Sequence, residues 1–68
     1  MLMLVTVIIS VRNDFGGARE AIDSILNQTY TNFEIVVIDD GSSDSTYSEL
    51  KKTYRYDHKV RICLLYTS

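Results

Sequence analysis

Two polar segments, each following an apolar run, carry the side chains best suited to binding a ligand. The first segment spans Ser10–Asp14 and the second spans Asp39–Thr46. The carboxylates of Asp39 and Asp40 can accept hydrogen bonds from hydroxyl or N–H groups, such as those of a ribose or a nucleobase. Gly41 comes next and allows the backbone to approach a bound molecule closely. These residue types therefore indicate a site for a polar, hydroxyl-bearing ligand.

The second segment also allows a purely structural interpretation. Its Asp-Asp-Gly-Ser stretch, residues 39–42, is favourable turn sequence, and Asp44 is a suitable helix N-cap. Turns and ligand sites use the same residue types, so spacing alone does not separate the two interpretations. On the sequence alone, the ligand-site and the structural interpretation both stay open.

Three common ligand-binding motifs are absent from the sequence. Gly16-Gly17 lacks the third glycine of a dinucleotide-binding fingerprint and lies several residues beyond the first apolar run. There is no phosphate-binding glycine loop followed by Lys and Ser or Thr. The acidic cluster that begins at Asp39 has its glycine third, where a calcium-binding EF-hand loop has it sixth.

Five segments of alternating character must position these polar residues. Leu4–Val11, Phe33–Ile38 and Val60–Tyr66 are apolar runs of the kind found in strands buried on both faces of a parallel sheet. Apolar residues in Ala18–Leu26 recur with helical spacing, and the spacing after Thr46 predicts a second helix to about Tyr56. The sequence therefore predicts an α/β chain in the order strand, helix, strand, helix, strand.

The residues before each helix are predicted to form a loop or a cap. Gly16-Gly17, with the polar residues before them, predict a loop that lasts until the first helix begins at Ala18. Before the second helix, Asp44 or a neighbouring serine or threonine can act as the N-cap. Thr46 and Glu49 have the spacing of a capping box.

Right-handed crossovers would join the three strands into a parallel sheet with the order 3-2-1. Ligands of open parallel sheets bind beyond the carboxyl ends of the strands, and both polar segments fall at that edge. Strand 1 would lie at the side of such a sheet, although its apolar sequence is typical of a central strand. An unprotected apolar edge favours unwanted pairing, so we expect a missing neighbour beside it.

Length, charge and cysteine content limit the classes of protein that the chain can represent. Its 68 residues, 1–68, are predicted to form a single partial domain, because a chain of this size buries only about 60% of its unfolded surface. Nine acidic and seven basic residues give a net charge of −2, which argues against binding to nucleic acid. Cys63 is the one cysteine and cannot form an internal disulfide. The apolar N-terminus lacks a basic region and is shorter than the roughly 18 residues of a membrane span.

Three blocks of sequence together resemble a known family. They are Val5–Asn13, Ala21–Tyr30 and Asn32–Thr46, and they are similar in order and register to the N-terminal half of the nucleotide-sugar domain of family 2 glycosyltransferases. The resemblance implies a Rossmann-like GT-A fold and the transfer of a sugar from a nucleoside diphosphate, such as UDP, to an acceptor. It implies a cytoplasmic parent enzyme, with possible membrane association, whose C-terminal half is the missing partner of this chain.

The resemblance also implies which residues bind the donor. The loop after strand 1 would pack on the nucleotide base, and Asp40 would accept a hydrogen bond from the base N–H. The residues to which it assigns nucleotide binding are Ser10, Val11, Arg12, Asn13, Asp39, Asp40, Gly41 and Ser42. The family commonly has proline at position 10, tyrosine at 12 and an aromatic residue at 17. A guanidinium plane can stack on a base as tyrosine does, so Arg12 is expected to keep that role.

The catalytic part of the family pattern is not found in these residues. The family holds Mn²⁺ or Mg²⁺ with an Asp-x-Asp motif, and this sequence contains none. It also lacks the catalytic base of the second half, so we expect the chain alone to be inactive, with no catalytic or metal-binding residue. Two other functions remain open: a different α/β nucleotide- or phosphate-binding module, such as a receiver domain, and a truncated fragment without a function of its own.

The remaining reactive or charged side chains have simpler explanations. His58 lies between Asp57 and Lys59 and is expected in a solvated loop. Cys63 lies in the third apolar run and is expected to be an inert core thiol. A basic stretch is expected to be a solvated helix face in preference to a contact with an anionic membrane, and it comprises Lys51, Lys52, Arg55, Lys59 and Arg61.

Overall fold

The predicted alternation of strands and helices is confirmed in the computed structural model, which describes residues 3–65. The elements are β1 (Val5–Val11), α1 (Phe15–Leu26), β2 (Phe33–Asp39), α2 (Thr46–Thr53) and β3 (Val60–Leu64). The strands pair in parallel in the order β1-β2-β3, which is the predicted 3-2-1 order viewed from the other side. The predicted fold class is therefore confirmed.

The core lies between the central strand and the two helices. Alternate residues of β2 are buried, and Ile35 and Val37 have no exposed surface. Ile22 of α1 and Leu50 of α2 are also fully buried and belong to the same apolar cluster. Both helices therefore cover one face of the sheet and hold β2 from that side.

The other face of the sheet, which we call the open face, carries no helix among residues 3–65. Strand register places eight residues on it: Thr6, Ile8, Ser10, Glu34, Val36, Ile38, Arg61 and Cys63. Ile8 is 66% exposed, and Cys63 is only half-buried. The prediction that the strands are buried on both faces, with Cys63 in the core, is therefore wrong for this chain. Two right-handed crossovers in the same direction put both helices on one side.

The first helix begins earlier than the sequence pattern predicts. α1 starts at Phe15, three residues before Ala18, and Gly16 and Gly17 form its first turn where a loop was expected. The carboxylate of Asp14 explains the difference, because its Oδ1 accepts a hydrogen bond from the Gly17 amide at 2.9 Å and caps the helix. A side chain at position 17 would collide with that carboxylate, so glycine makes room for the cap.

The second helix and the third strand also differ in their ends. α2 begins at Thr46, so Thr46 cannot be the N-cap of a capping box, and Asp44 Oδ1 accepts the Thr46 amide at 2.9 Å instead. The helix ends at Thr53, before the predicted Tyr56, because the chain leaves helical geometry at Tyr54. β3 ends at Leu64, and the predicted last strand residue, Tyr66, lies outside the described residues.

Tyr54 joins the end of α2 to α1. Its ring is buried, and its hydroxyl donates a hydrogen bond to Asp23 Oδ1 at 2.7 Å. Burial, reinforced by the carboxylate of Asp23, raises the pKa of Tyr54 well above its ordinary value. A group whose pKa is raised by folding stabilises the fold fully below its ordinary pKa and loses that effect as the pH rises through the folded value.

We therefore expect alkaline pH to weaken the fold partly through Tyr54. The free energy of unfolding should fall as the pH rises above about 10, the ordinary tyrosine pKa. Tyr54→Phe should lower stability by about 1 kcal/mol at neutral pH, because it removes one hydrogen bond. The variant should also show a smaller alkaline loss than the original chain, which urea unfolding at several pH values measures. Equal alkaline losses in the two proteins would contradict this role.

Candidate functional site

The two predicted polar segments meet at the carboxyl ends of β1 and β2. Val11, the last residue of β1, lies in register with Asp39, the last residue of β2. The Asp40 amide then donates a hydrogen bond to the Val11 carbonyl oxygen at 2.9 Å, so pairing continues one residue beyond the strand. The polar edge formed by residues 10–14 and 39–44 is the candidate site.

The adjacent acids Asp39 and Asp40 have different environments. Asp39 is fully buried on the helix-covered side, and its Oδ1 accepts a hydrogen bond from the Ser42 amide at 2.7 Å. Its other oxygen, Oδ2, is buried without a hydrogen-bond partner among residues 3–65. Strand alternation turns the half-buried Asp40 toward the open face. Asp40 is therefore the acid of the pair that a ligand can reach.

The buried acid leads to a stability prediction. Asp39→Ala removes the acceptor of the Ser42 amide, so we expect it to lower the free energy of unfolding by about 1–3 kcal/mol. Asp39→Asn keeps one carbonyl oxygen for that amide and removes the buried charge, so its stability should stay within about 1 kcal/mol of the original chain. Urea unfolding of both variants distinguishes them. A loss as large for asparagine as for alanine would show that the charge itself is needed.

Gly41 has a backbone conformation that favours glycine. Its φ of 73° lies in the left-handed region, where a side chain meets the neighbouring carbonyl oxygen. The resulting turn brings the Ser42 amide within hydrogen-bonding distance of the Asp39 carboxylate and allows the chain to reverse before α2. Gly41 therefore shapes the turn that follows the two acids, and its role in binding a ligand stays a prediction.

Asn13 contacts the second polar segment through both its backbone and its side chain. Its amide donates to Ser42 Oγ at 2.9 Å. Its side-chain oxygen, Oδ1, accepts the amide of Ser43 at 2.8 Å, the amide of Asp44 at 3.3 Å and the hydroxyl of Ser43 at 3.4 Å. Some of the hydrogen-bonding groups of Asn13 and Ser42 are therefore used to join the two loops.

Ser10 and Arg12 are the other predicted site residues whose side chains are exposed. Neither side chain has a hydrogen bond or ion-pair partner in the described part of the chain. They line a cavity of about 280 Å³ between β1 and the start of α1. Val11 is different, because its side chain is buried in the core and its carbonyl oxygen is occupied by the Asp40 amide.

Sequence reasoning missed three residues that shape the edge. Asp14 caps α1, and the amides of Ser43 and Asp44 hold the side chain of Asn13. A signal for Asp14 was present, since an aspartate directly before the first turn of a helix is a good N-cap. The contacts of Ser43 and Asp44 cross about thirty residues of sequence, and no local pattern predicts them.

A second hollow lies away from the carboxyl ends of the strands. It measures about 360 Å³ between α2 and the beginning of β3, and its lining includes Lys51, Arg55, His58 and Arg61. All four side chains are exposed, and none lies within ion-pairing distance of a carboxylate among residues 3–65. Lys59 differs from these, because its Nζ donates to the Thr31 carbonyl oxygen at 2.6 Å and lies over the Phe33 ring.

The residues do not form a metal-ligand set in the part of the chain that the structure describes. No group of three or more His, Cys, Asp or Glu side chains comes together there in a way that could hold an ion. Asp39 is buried against Ser42, and Asp40 lies on the other side of the strand. Separately, none of the described helices is both long and apolar enough to cross a membrane.

Comparison with known proteins shows which family this chain resembles. The sequence pattern of glycosyl transferase family 2 matches residues 6–66. The chain is 46% identical over 59 residues to an uncharacterized glycosyltransferase of Haemophilus influenzae, covering 87% of this chain and 18% of the relative. An uncharacterized glycosyltransferase of Rickettsia prowazekii is 48% identical over 63 residues, covering 93% of this chain and 18% of the relative.

A third relative carries a more specific name. The glycosyltransferase GlyA of Streptococcus pneumoniae is 43% identical over 56 residues, covering 82% of this chain and 8% of that protein. The chain thus spans less than a fifth of the length of these relatives. The matched region nevertheless includes both strand-end loops and, apart from Val5 at the start of β1, all three strands. The matched family is the one that the three sequence blocks resemble, and the chain belongs to glycosyl transferase family 2.

Proposed function

We propose that the polar edge binds the nucleotide of a nucleoside-diphosphate sugar, with UDP as the expected nucleotide. The observation that carries this proposal is that some residues of the edge hold the loops together while others have free side chains. Asn13, Ser42 and Asp39 hold the two loops in place. Arg12 lies in the first loop and Asp40 in the second, and neither side chain has a hydrogen-bond partner among residues 3–65. A rigid frame with two free, opposite charges suits a ligand that has both a flat ring and N–H donors.

The available groups suggest a role for each residue. Asp40 accepts a hydrogen bond from the base N–H, and a carboxylate acceptor strengthens such a bond. The guanidinium of Arg12 stacks on the base plane, which its planar charge distribution favours. The hydroxyl of Ser10 and the backbone at Gly41, which has no side chain in the way, can then contact the ribose. Asp39, Asn13 and Ser42 act by positioning these groups, and Val11 acts as core.

The transfer reaction itself belongs to a longer protein in this proposal. The chain spans less than a fifth of its relatives, so the acceptor site, the catalytic base and the ligands of Mn²⁺ or Mg²⁺ would come from the remaining sequence. The exposed apolar residues Ile8 and Val5 suggest that a C-terminal half packs against the open face and beside β1. Alone, the chain would bind nucleotide without transferring sugar.

A nucleotide titration of the chain tests the binding part of the proposal. UDP at millimolar concentration should shift the backbone amide NMR signals of residues 10–13 and 40–43. The amides of His58 and Lys59, at the opposite end of the sheet, serve as an internal control and should not move. If a chain with well-dispersed signals shows no shifts in the two loops, the proposal fails. Equal shifts at His58 would instead indicate unspecific binding of the diphosphate.

A further inference from the structure

We infer that Asn13 is a positioning residue that locks the two strand-end loops into one rigid unit and thereby sets the nucleotide affinity of the edge. This inference rests on the proposed function, but it is tested separately below. It changes the role assigned to Asn13 from the sequence, where the residue was expected to contact the nucleotide directly. The contacts of Asn13 in the structure are the reason for the change.

The side chain of Asn13 replaces a strand-like pairing that the loops themselves cannot make. Its Oδ1 accepts hydrogen bonds from two successive amides, those of Ser43 and Asp44, and its own amide donates to Ser42 Oγ. One residue from the first loop therefore contacts three successive residues of the second. Together with the weaker bond that the Ser43 hydroxyl donates to the same Oδ1 and the Asp40 amide bond to Val11, these are the hydrogen bonds between the two loops in the described part of the chain.

The backbone of Asn13 supports the same interpretation. Its φ of 51° lies in the left-handed region, which costs about 1–2 kcal/mol for a residue with a side chain. Asparagine adopts this region more readily than most residues. A conformation of this kind persists where surrounding contacts enforce it, and the contacts to Ser42, Ser43 and Asp44 are the ones present.

The lock has a direct consequence for Asp40. The turn that follows Asp40 is held from one side by Asp39, through the Ser42 amide, and from the other side by Asn13, through Ser42 and Ser43. Arg12 immediately precedes Asn13 in the first loop. The distance between the Arg12 and Asp40 groups therefore depends on Asn13, and a ligand that bridges them binds without first having to order the loops.

Three substitutions at this one position separate the possible roles. Asn13→Gly keeps the left-handed backbone and removes the acceptor, Asn13→Ala removes the acceptor and adds strain, and Asn13→Asp keeps an oxygen in the same place. The first measurement is the exchange of the Ser43 and Asp44 amide hydrogens with water in the absence of ligand. The second measurement is the affinity of Asn13→Gly for UDP.

We expect faster exchange of both amides, by about tenfold, in the glycine and alanine variants and near-original exchange in the aspartate variant, because only aspartate retains the acceptor. UDP should bind Asn13→Gly about fivefold to tenfold more weakly, with the melting temperature little changed. The Ile35 amide, which lies in the buried middle of β2 and donates to the Lys59 carbonyl oxygen, provides the control for general opening of the fold.

The inference is overturned if Asn13→Gly leaves the exchange of Ser43 and Asp44 unchanged, or if exchange rises and UDP affinity does not fall. A variant that also loses the protection of the Ile35 amide would have unfolded. Asn13→Asp then decides the question: retained protection of the Ser43 and Asp44 amides supports the inference, and lost protection contradicts it. If the original chain itself binds no UDP, the proposed function fails, while the exchange measurements still decide whether Asn13 locks the loops.

Discussion

Asp40→Ala is expected to weaken UDP binding by the chain by about tenfold to a hundredfold. A hydrogen bond to a charged group contributes about 1.5–3 kcal/mol, which corresponds to that range of affinity. Stability should change little, because Asp40 is only half-buried and its side chain has no hydrogen-bond partner among residues 3–65. The measurement is a UDP titration followed by amide shifts or by calorimetry, together with a melting curve.

Two further variants make the Asp40 result specific. Asp40→Asn keeps the size of the side chain and one acceptor oxygen, so it should fall between the alanine variant and the original chain. Glu20→Ala removes the same charge from an exposed position of α1 that does not line the cavity beside Ser10 and Arg12, and it should bind UDP normally. Equal losses at Asp40 and Glu20 would mean that net charge alone controls binding, and unchanged binding in Asp40→Ala would remove Asp40 from the site.

The fold could be predicted from the sequence because its elements differ in hydrophobic period. Apolar runs marked the three strands, and helical spacing marked the face that contains Ala18 and Ile22. The ends of the helices could not be predicted as well, because single side-chain contacts determine them. The Asp14 cap moved the start of α1 into the two glycines, a shift that local composition disfavoured.

The sequence predicted which edge of the sheet carries the polar segments, but it did not predict what each of their residues contacts. Parallel topology alone brings both polar segments to the carboxyl ends of the strands. Asp39 and Asp40 have the same chemistry, however, and apart from Glu34 both faces of β2 are apolar in sequence, so the local pattern gives little indication of which acid faces the helices. Asn13 was predicted to contact the nucleotide, and the hydrogen bonds on which its proposed positioning role rests join it to residues about thirty positions away. Such long-range contacts are not visible in a single sequence.

Ile35→Ala is expected to unfold most of the chain at room temperature. Ile35 lies in the middle of β2 with no exposed surface, packed in the cluster that joins both helices to the sheet. Truncating such a side chain costs about 2–5 kcal/mol. A single core in a chain of this size supplies only about 3–5 kcal/mol of stability, so the loss is comparable with the total. Circular dichroism melting should show a cooperative transition in the original chain and little or none in the variant.

Ile8→Ala provides the matched control, because it makes the same chemical change in the neighbouring strand. Ile8 lies on the open face and is 66% exposed, so its truncation should cost less than about 1 kcal/mol. The contrast between the two isoleucines tests which face of the sheet forms the core. A large loss at Ile8 that depends on protein concentration would show that chains associate through the open face. A large loss that is independent of concentration would contradict the assignment of that face as uncovered, and with it the argument that it awaits the rest of a longer protein.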